Sequence, residues 1–365
     1  MHALPAWLRD YRREWLAGDL TAGVIVTVML IPQSLAYALL AGLPPQVGLY
    51  ASLLPLVAYA LLGSSMTLAV GPVAVASLMT ASALQPLAVP GSPEYVALAM
   101  QLALLSGVML LAFGALRLGF LAHFLSHPVI SGFITGSAVV IAVGQLPHLL
   151  GVRVQAHGVW ETLAALASAL PQTQPVTLAL GGGSVLFLWL SRRFLAQALT
   201  RLGVAPGVAE LLAKLAPMAA VLITTALVAG LGLAQTAGVR IVGAVPQGLP
   251  SLAVPLPSLE TLGPLLLPAL LISLVGFVES VSVAQSLALK RQERIRPNRE
   301  LVGLGAANLA SAVSGGYPVT GGFARSVVNF AAGARTPFAA VITAALTAAT
   351  VATLAGAFRL LPQAV

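Results

Sequence analysis

The chain has 365 residues, of which 58% are hydrophobic; 18 are basic and 10 are acidic. Charged residues make up 8% of it, against roughly 25% in a typical soluble domain, so disordered, nucleic-acid-binding and ordinary cytosolic enzyme classes are excluded as first choices. The net charge of +8 reflects basic loops on an apolar chain, and the absence of cysteine excludes disulfides, thiolate chemistry and cysteine metal sites.

The predicted elements begin with residues 1–17. Trp7, Arg9, Asp10, Tyr11, Arg12, Arg13, Glu14 and Trp15 read as a cytoplasmic, amphipathic interfacial segment. A cleavable signal peptide is disfavoured, because no small-residue cleavage site follows a short apolar core. Eleven apolar runs follow, near 18–41, 47–62, 72–86, 94–113, 119–147, 173–195, 214–234, 261–288, 298–311, 321–334 and 336–357. Runs of this length and number define an all-α polytopic membrane protein. The runs at 72–86, 298–311 and 321–334 are too short to cross a bilayer alone. With the N-terminus inside, fourteen basic residues fall on the cytoplasmic side and three (Arg153, Arg240 and Arg359) outside, a strong positive-inside bias. Residues 288–300 read as a solvated cytoplasmic loop. Pro246–Pro264 reads as a long external loop, too rich in proline for a helix.

Two of the short runs share a layout. Thr67-Leu-Ala-Val-Gly-Pro-Val-Ala-Val-Ala-Ser77 and Gly315-Gly-Tyr-Pro-Val-Thr-Gly-Gly-Phe-Ala-Arg-Ser326 each begin extended, with Gly or Pro, and then enter a short helix of small residues. A helix that starts deep in a membrane presents unpaired N–H groups there, and two such half-helices make a site for an anion or carboxylate near the midplane. The first enters from the inside and the second from the outside, as an inverted repeat demands. The alternative reading is that the small residues serve only close helix packing.

Within these runs a few polar residues stand out. Arg325 lies in the second half-helix among apolar and small neighbours. It reads either as an attractor of an anion or as a structural partner of a carboxylate. Glu279 sits inside Leu270-Leu-Ile-Ser-Leu-Val-Gly-Phe-Val-Glu-Ser, where an isolated carboxylate is expensive to ionise; that suits proton uptake and release, unless Arg325 pairs with it. Ile31-Pro-Gln-Ser-Leu-Ala-Tyr37 should interrupt the first helix at Pro32, with Gln33 and Tyr37 four apart on one face and able to donate to an anion; a kink with interhelical bonding is the alternative. Ser280, Ser282 and Gln285 are weaker cavity-lining candidates, and Asn308 and Asn329 read as helix-to-helix hydrogen bonders. His123, His127, His148 and His157 form no ligand cluster. No Ser-His-Asp set, carboxylate pair or phosphate-binding glycine loop appears, so no enzyme, metal or cofactor is implied.

These segments resemble the SulP (sulfate permease) and solute carrier 26 family of anion transporters. The blocks that carry the resemblance are Ile31 to Tyr50, Gly132-Phe-Ile-Thr-Gly-Ser-Ala to Gly144-Gln-Leu-Pro147, Val245-Pro-Gln-Gly-Leu-Pro250, and Asn298 through Asn308, Gly315-Gly-Tyr-Pro, Arg325-Ser326 and Asn329 to Thr336. The resemblance implies the uracil-transporter-like fold, with seven plus seven segments in inverted repeats and two half-helices at the substrate site. About the first eleven segments are present here. It implies core-domain segments at 18–113 and 261–357 and gate segments at 119–234. The remaining gate segments and any STAS domain would lie outside residues 1–365. Carried over residue by residue, the substrate site comprises Gln33, Tyr37, Pro72, Val73, Ala74, Phe323, Ala324 and Arg325, with Glu279 for proton coupling. Some animal relatives have serine where this chain has Ala324. The implied function is secondary transport of a small anion, sulfate by default, by proton symport in a bacterial inner membrane. The full-length protein is expected to be a homodimer. Exchange or bicarbonate and dicarboxylate transport without proton coupling is one alternative, and a nucleobase carrier is another.

Overall fold

The computed structural model describes residues 5–120, 127–152, 154, 158–243, 248–353 and 355–362. His123, Arg153 and His157, and residues 244–247 of the external loop, lie outside the described residues. In chain order the first elements are α1 (Ala6–Arg9), α2 (Leu16–Leu40), α3 (Pro45–Tyr50), α4 (Leu54–Leu62), β1 (Val70–Gly71), α5 (Ala74–Leu84) and α6 (Pro93–Ala115). Next come α7 (His127–Leu150), α8 (Val159–Ala169), α9 (Pro175–Leu190), α10 (Ala196–Arg201), α11 (Pro206–Lys214), α12 (Ala216–Gly230) and α13 (Leu233–Thr236). The last are α14 (Leu259–Arg291), α15 (Pro297–Val313), β2 (Thr320–Gly321), α16 (Phe323–Ala331) and α17 (Phe338–Thr353).

Several helices start at a proline, among them Pro45, Pro93, Pro175 and Pro297. Proline presets the helical φ there, and its missing N–H costs nothing in a first turn. Among the described residues, five helical stretches are long and apolar enough to cross a membrane: Arg13–Leu40, Pro45–Leu62, Pro93–Ala115, Pro175–Arg201 and Leu259–Arg291.

Two expectations about proline are corrected. Pro32 does not interrupt α2, which runs on to Leu40. The external loop ends at Ser258, and Pro264 and Pro268 lie inside α14. Ser258 and Thr261 close a capping box that starts this helix ahead of its prolines, and a long apolar helix tolerates the lost backbone bonds. α8, α10 and α11 fall between the apolar runs, so the runs did not reveal them.

The chain divides into two compact units. One comprises Met1–Ile130 and Gln247–Leu354, the other Ser131–Pro246 and Ala355–Val365. In the first unit α15 packs on α6 and α4, α17 on α2, and α14 on α6. The α6–α15 crossing depends on two glycines. A Cβ on Gly107 would lie 2.9 Å from the Gly305 carbonyl oxygen, and one on Gly305 3.0 Å from the Gly107 oxygen. Backbones at that separation need small residues, the usual route to tight helix packing where lipid gives no hydrophobic drive. In the second unit α9 continues through a π-helical stretch, Ser191–Leu195, into α10. Arg193 lies over the Trp189 and Phe194 rings there, at 5.7 and 5.4 Å.

Two buried carboxylates tie distant parts of the first unit together. Glu300, expected in a solvated loop, is 0% exposed. It accepts hydrogen bonds from Tyr59 Oη at 2.6 Å, Ser64 N at 2.7 Å, Ser64 Oγ at 2.6 Å and Ser65 N at 3.1 Å. Asp19, also 0% exposed, accepts from Arg335 N at 2.6 Å, Thr336 N at 2.9 Å, Thr336 Oγ1 at 2.6 Å and Tyr11 Oη at 3.1 Å. Burial and the Asp19 carboxylate push the Tyr11 phenol up to about 12, so it stays a donor at neutral pH. Glu300→Ala strands four donors and is expected to cost about 3 kcal/mol or more. Glu94→Ala, on an exposed first turn, should stay within about 0.5 kcal/mol. Thermal unfolding in detergent of the two variants beside the parent checks the difference.

Candidate functional site

Both short helices begin where the preceding chain is kept extended. Gly71 precedes Pro72, and a proline disfavours helical backbone in the residue before it. The Gly321-Gly322 pair breaks the other segment. The extended pieces pair with each other: β1 and β2 are antiparallel, with Val70 opposite Gly321 and Gly71 opposite Thr320. The chain therefore leaves this ladder at opposite ends into α5 and α16, the direction expected for inverted repeats.

The two helix starts touch. A Cβ on Gly322, the N-cap of α16, would lie 3.3 Å from Cγ1 of Val73, the N-cap of α5. Neither helix has a side-chain cap, and helical bonding starts only at Ser77 N to Val73 O and Ser326 N to Gly322 O. The first-turn N–H groups of Ala74, Val75 and Ala76, and of Phe323, Ala324 and Arg325, are thus outside the helical ladder. A second face of α16 grips the strand leading into β1. Ser326 Oγ accepts from Ala69 N at 2.9 Å, and Asn329 Nδ2 donates to Thr67 O at 2.9 Å.

Arg325 joins the two half-helices. Its Nη1 donates to the Pro72 carbonyl at 2.6 Å, and the residue is only 2% exposed. Its Nε and Nη2 are buried without a hydrogen-bond partner. Gly71 and Gly322 make room for the guanidinium, since Cβ atoms there would lie 3.3 and 3.0 Å from Nη2. The titratable groups within electrostatic reach of Arg325 are Tyr37, Tyr317 and Glu279. The alternative of a salt bridge to Glu279 is not what the structure has: Arg325 bonds the Pro72 carbonyl and Glu279 bonds Thr320.

Glu279 is half-buried on α14 and accepts from Thr320 Oγ1 at 3.4 Å. The next residue, Ser280, accepts from Gly321 N at 2.8 Å. α14 therefore holds β2 through two consecutive side chains. Ser282 bonds only within its own helix, to Val278 O. Asn308 does not join helix to helix as expected. It brackets Val319 from both sides, Nδ2 to Val319 O at 2.9 Å and Val319 N to Oδ1 at 3.0 Å, so it orders the extended segment before β2. Asn329, by its bond to Thr67 O, also serves an extended segment.

Of the expected site residues, Pro72, Val73, Ala74 and Arg325 are buried around the touching helix starts, while Phe323 (55% exposed) and Ala324 are open. Gln33 and Tyr37 are half-buried on α2. Tyr37 reaches Arg325 electrostatically, whereas Gln33 has no hydrogen bond to either half-helix among the described residues. Thr320, Ser326 and Tyr317, whose hydroxyl meets Ser77 Oγ at 2.9 Å, were not singled out from sequence. A Thr and two hydroxyls in a glycine-rich stretch carry no signal of their own until the partner segments are known. Among the described residues no group of histidines and carboxylates could hold a metal.

A sequence model described as the sulfate permease family matches residues 16–365. The chain belongs to the sulfate permease family. A probable sulfate transporter of Mycobacterium tuberculosis is 37% identical over 356 residues, 98% of this chain and 60% of that relative. Sulfate transporter 4.1 of Arabidopsis thaliana, chloroplastic, is 36% identical over 98% of this chain and 51% of its own length. The chain thus spans between half and three fifths of the length of these curated relatives. Among solved structures, SLC26A9 matches with a TM-score of 0.89 at 23% identity, over 99% of this chain and 58% of that one. The transmembrane domain of the cyanobacterial bicarbonate transporter BicA matches with a TM-score of 0.82 at 25% identity, over 97% and 86%. The sulfate permease fold is the seven-plus-seven inverted repeat, and this family member is a multi-pass membrane protein. The family consists of transporters, not enzymes.

The glycine slot around Arg325 generates a test. Gly322 has φ −83° and ψ 125°, a backbone that any residue adopts, so Gly322→Ala changes space alone. The added methyl forces the guanidinium to give by a few tenths of an ångström, and thermal unfolding in detergent is expected to show a cost of about 1–2 kcal/mol with the fold intact. Gly71→Ala, with slightly more room, should cost less.

Proposed function

We propose that the protein is a secondary active anion transporter, and that Arg325 is the charge that draws the anion to the paired helix starts. One observation carries the reading: a buried guanidinium whose Nε and Nη2 have no partner. A buried cation with unmet donors costs several kcal/mol unless something anionic offsets it. The adjacent uncapped first turns add N–H donors and helix-dipole field of the same sign. The exposed Phe323 and Ala324 lie at the accessible end of α16, next to these donors. Together the features favour a small oxyanion or carboxylate over a neutral nucleobase.

Sulfate is the substrate we assign first, because the curated relatives matched over nearly all of this chain are described as sulfate transporters. Bicarbonate is the second reading, supported by the fold match to BicA. Glu279 is assigned the coupling proton. It is half-buried, bonded to a hydroxyl rather than paired with Arg325, and within electrostatic reach of Arg325. Neutralising it as the anion binds offsets one of the negative charges that the anion brings to the site. We assign the unit with these residues as the core domain and the other as part of a gate domain, with alternating access between them. The native setting is a bacterial inner membrane with the N-terminus inside, and the full-length protein is a homodimer.

Proteoliposomes holding the full-length protein test this with labelled sulfate, bicarbonate and fumarate, each with and without an inward proton gradient. Sulfate accumulation should require the gradient. Arg325→Gln should abolish uptake. Glu279→Gln should lose gradient-driven accumulation by about tenfold or more while keeping exchange. Gradient-independent transport in the parent, unchanged in Glu279→Gln, would remove the proton from the mechanism and leave an exchanger.

A further inference from the structure

The proposed proton site and the proposed anion site are not in contact through an ion pair, so something else must let one register the state of the other. The hydrogen bonds around β2 supply a route. Thr320 is 3% exposed and lies in the ladder opposite Gly71. Its side chain bonds Glu279 Oε2, and its backbone belongs to the strand that leads directly into α16. Gly71 in turn flanks the Arg325 guanidinium. We propose that Thr320 is the positioning residue that couples protonation of Glu279 to anion binding at the half-helices. This rests on the reading of Glu279 as the proton carrier.

The chemistry turns on the charge behind one hydrogen bond. An ionised carboxylate only accepts, so Thr320 must donate to it. When Glu279 takes a proton from the aqueous side, a new Oε–H bond forms and the carboxyl becomes a donor. The bond from Thr320 then loses its charge assistance, because a neutral carboxyl accepts only about half as strongly as a carboxylate.

Weakening this bond changes what holds β2 on α14. With Glu279 ionised, the strand is tied by Thr320 to Glu279 and by Gly321 to Ser280. After protonation the Thr320 tie weakens while the Ser280 tie stays. A small pivot of the ladder about Gly321 would shift the helix starts and the slot beside Arg325. The contact is tight on its far side as well, since a Cβ on Gly276 would fall 2.5 Å from Thr320 Cγ2, which packs the threonine methyl against α14. The groups that act on Glu279 are Thr320 from β2 and Arg325 from α16. The other helices packed on α14, namely α5, α6 and α15, bring no charged group to it among the described residues.

The test compares Thr320→Val, which keeps the shape and deletes the hydroxyl, with Thr320→Ser, which keeps the hydroxyl. The readout is equilibrium sulfate binding by the full-length protein at acidic and alkaline pH, with Glu279→Gln measured alongside. The parent should bind sulfate about tenfold more tightly at acidic pH, since linked sites affect each other reciprocally. Thr320→Val should reduce that ratio to about twofold or less, with affinity at the better pH little changed, and Thr320→Ser should restore it. A merely structural threonine would alter affinity or thermal stability without moving the pH ratio. Should Thr320→Val fail to fold, Thr320→Ala supplies the same readout. If Glu279→Gln loses the pH ratio and Thr320→Val keeps it, the coupling role is overturned while the proton site stands. If Glu279→Gln keeps it, the proton site itself falls.

Discussion

The Arg325 guanidinium, buried between two helix starts and bonded on one side only, is the constraint around which the first unit is organised. It needs a cavity that backbone must line, because among the described residues no carboxylate is bonded to it. That requirement explains the interrupted segments before α5 and α16, which trade helical bonds for the β1–β2 ladder. It also explains the two glycines at its flanks, where any side chain would compete for the same space. The bond from Nη1 to Pro72 then fixes one half-helix against the other, since Pro72 and Arg325 belong to different repeats.

A site built from short extended segments must be braced from outside, and polar side chains do this. Asn308 brackets Val319, Ser280 holds Gly321, and Ser326 with Asn329 holds the approach to β1. Each satisfies a backbone group that no helix satisfies, at a depth where an unmet group is costly. Farther out, Glu300 secures the turn before β1 and Asp19 the turn after α16. Each carboxylate comes from one repeat and grips the other. The first unit is thereby cross-linked by polar bonds that do not depend on the hydrophobic effect, which is weak between helices in lipid. The proposed transport by rigid movement of a core would need that kind of internal stiffness.

Much of this was legible in the residues. The short runs with Gly and Pro ahead of small residues announced half-helices, and their opposite directions matched the antiparallel ladder. Arg325 and Glu279 stood out because a charge in an apolar run is rare and expensive. Three readings went astray for a common reason. Pro32 and Pro264 looked like helix breakers, but long apolar helices absorb a missing donor. Glu300 looked solvated because its sequence neighbours are charged, whereas its environment is set by Tyr59, Ser64 and Ser65, more than two hundred residues away.

By itself, the sequence determined what depends on local composition and spacing: apolar spans, broken segments, the two intramembrane charges and the family. Tertiary structure alone decided which group meets which. Arg325 finds a carbonyl 253 residues away instead of the glutamate that charge alone would suggest. Glu279 finds Thr320, a residue with no distinguishing pattern, 41 positions on. The physical reason is that hydrogen bonds act over about 3 Å and in one direction. Periodicity records which face a residue occupies, whereas the partner across that distance is chosen only when the whole unit has packed.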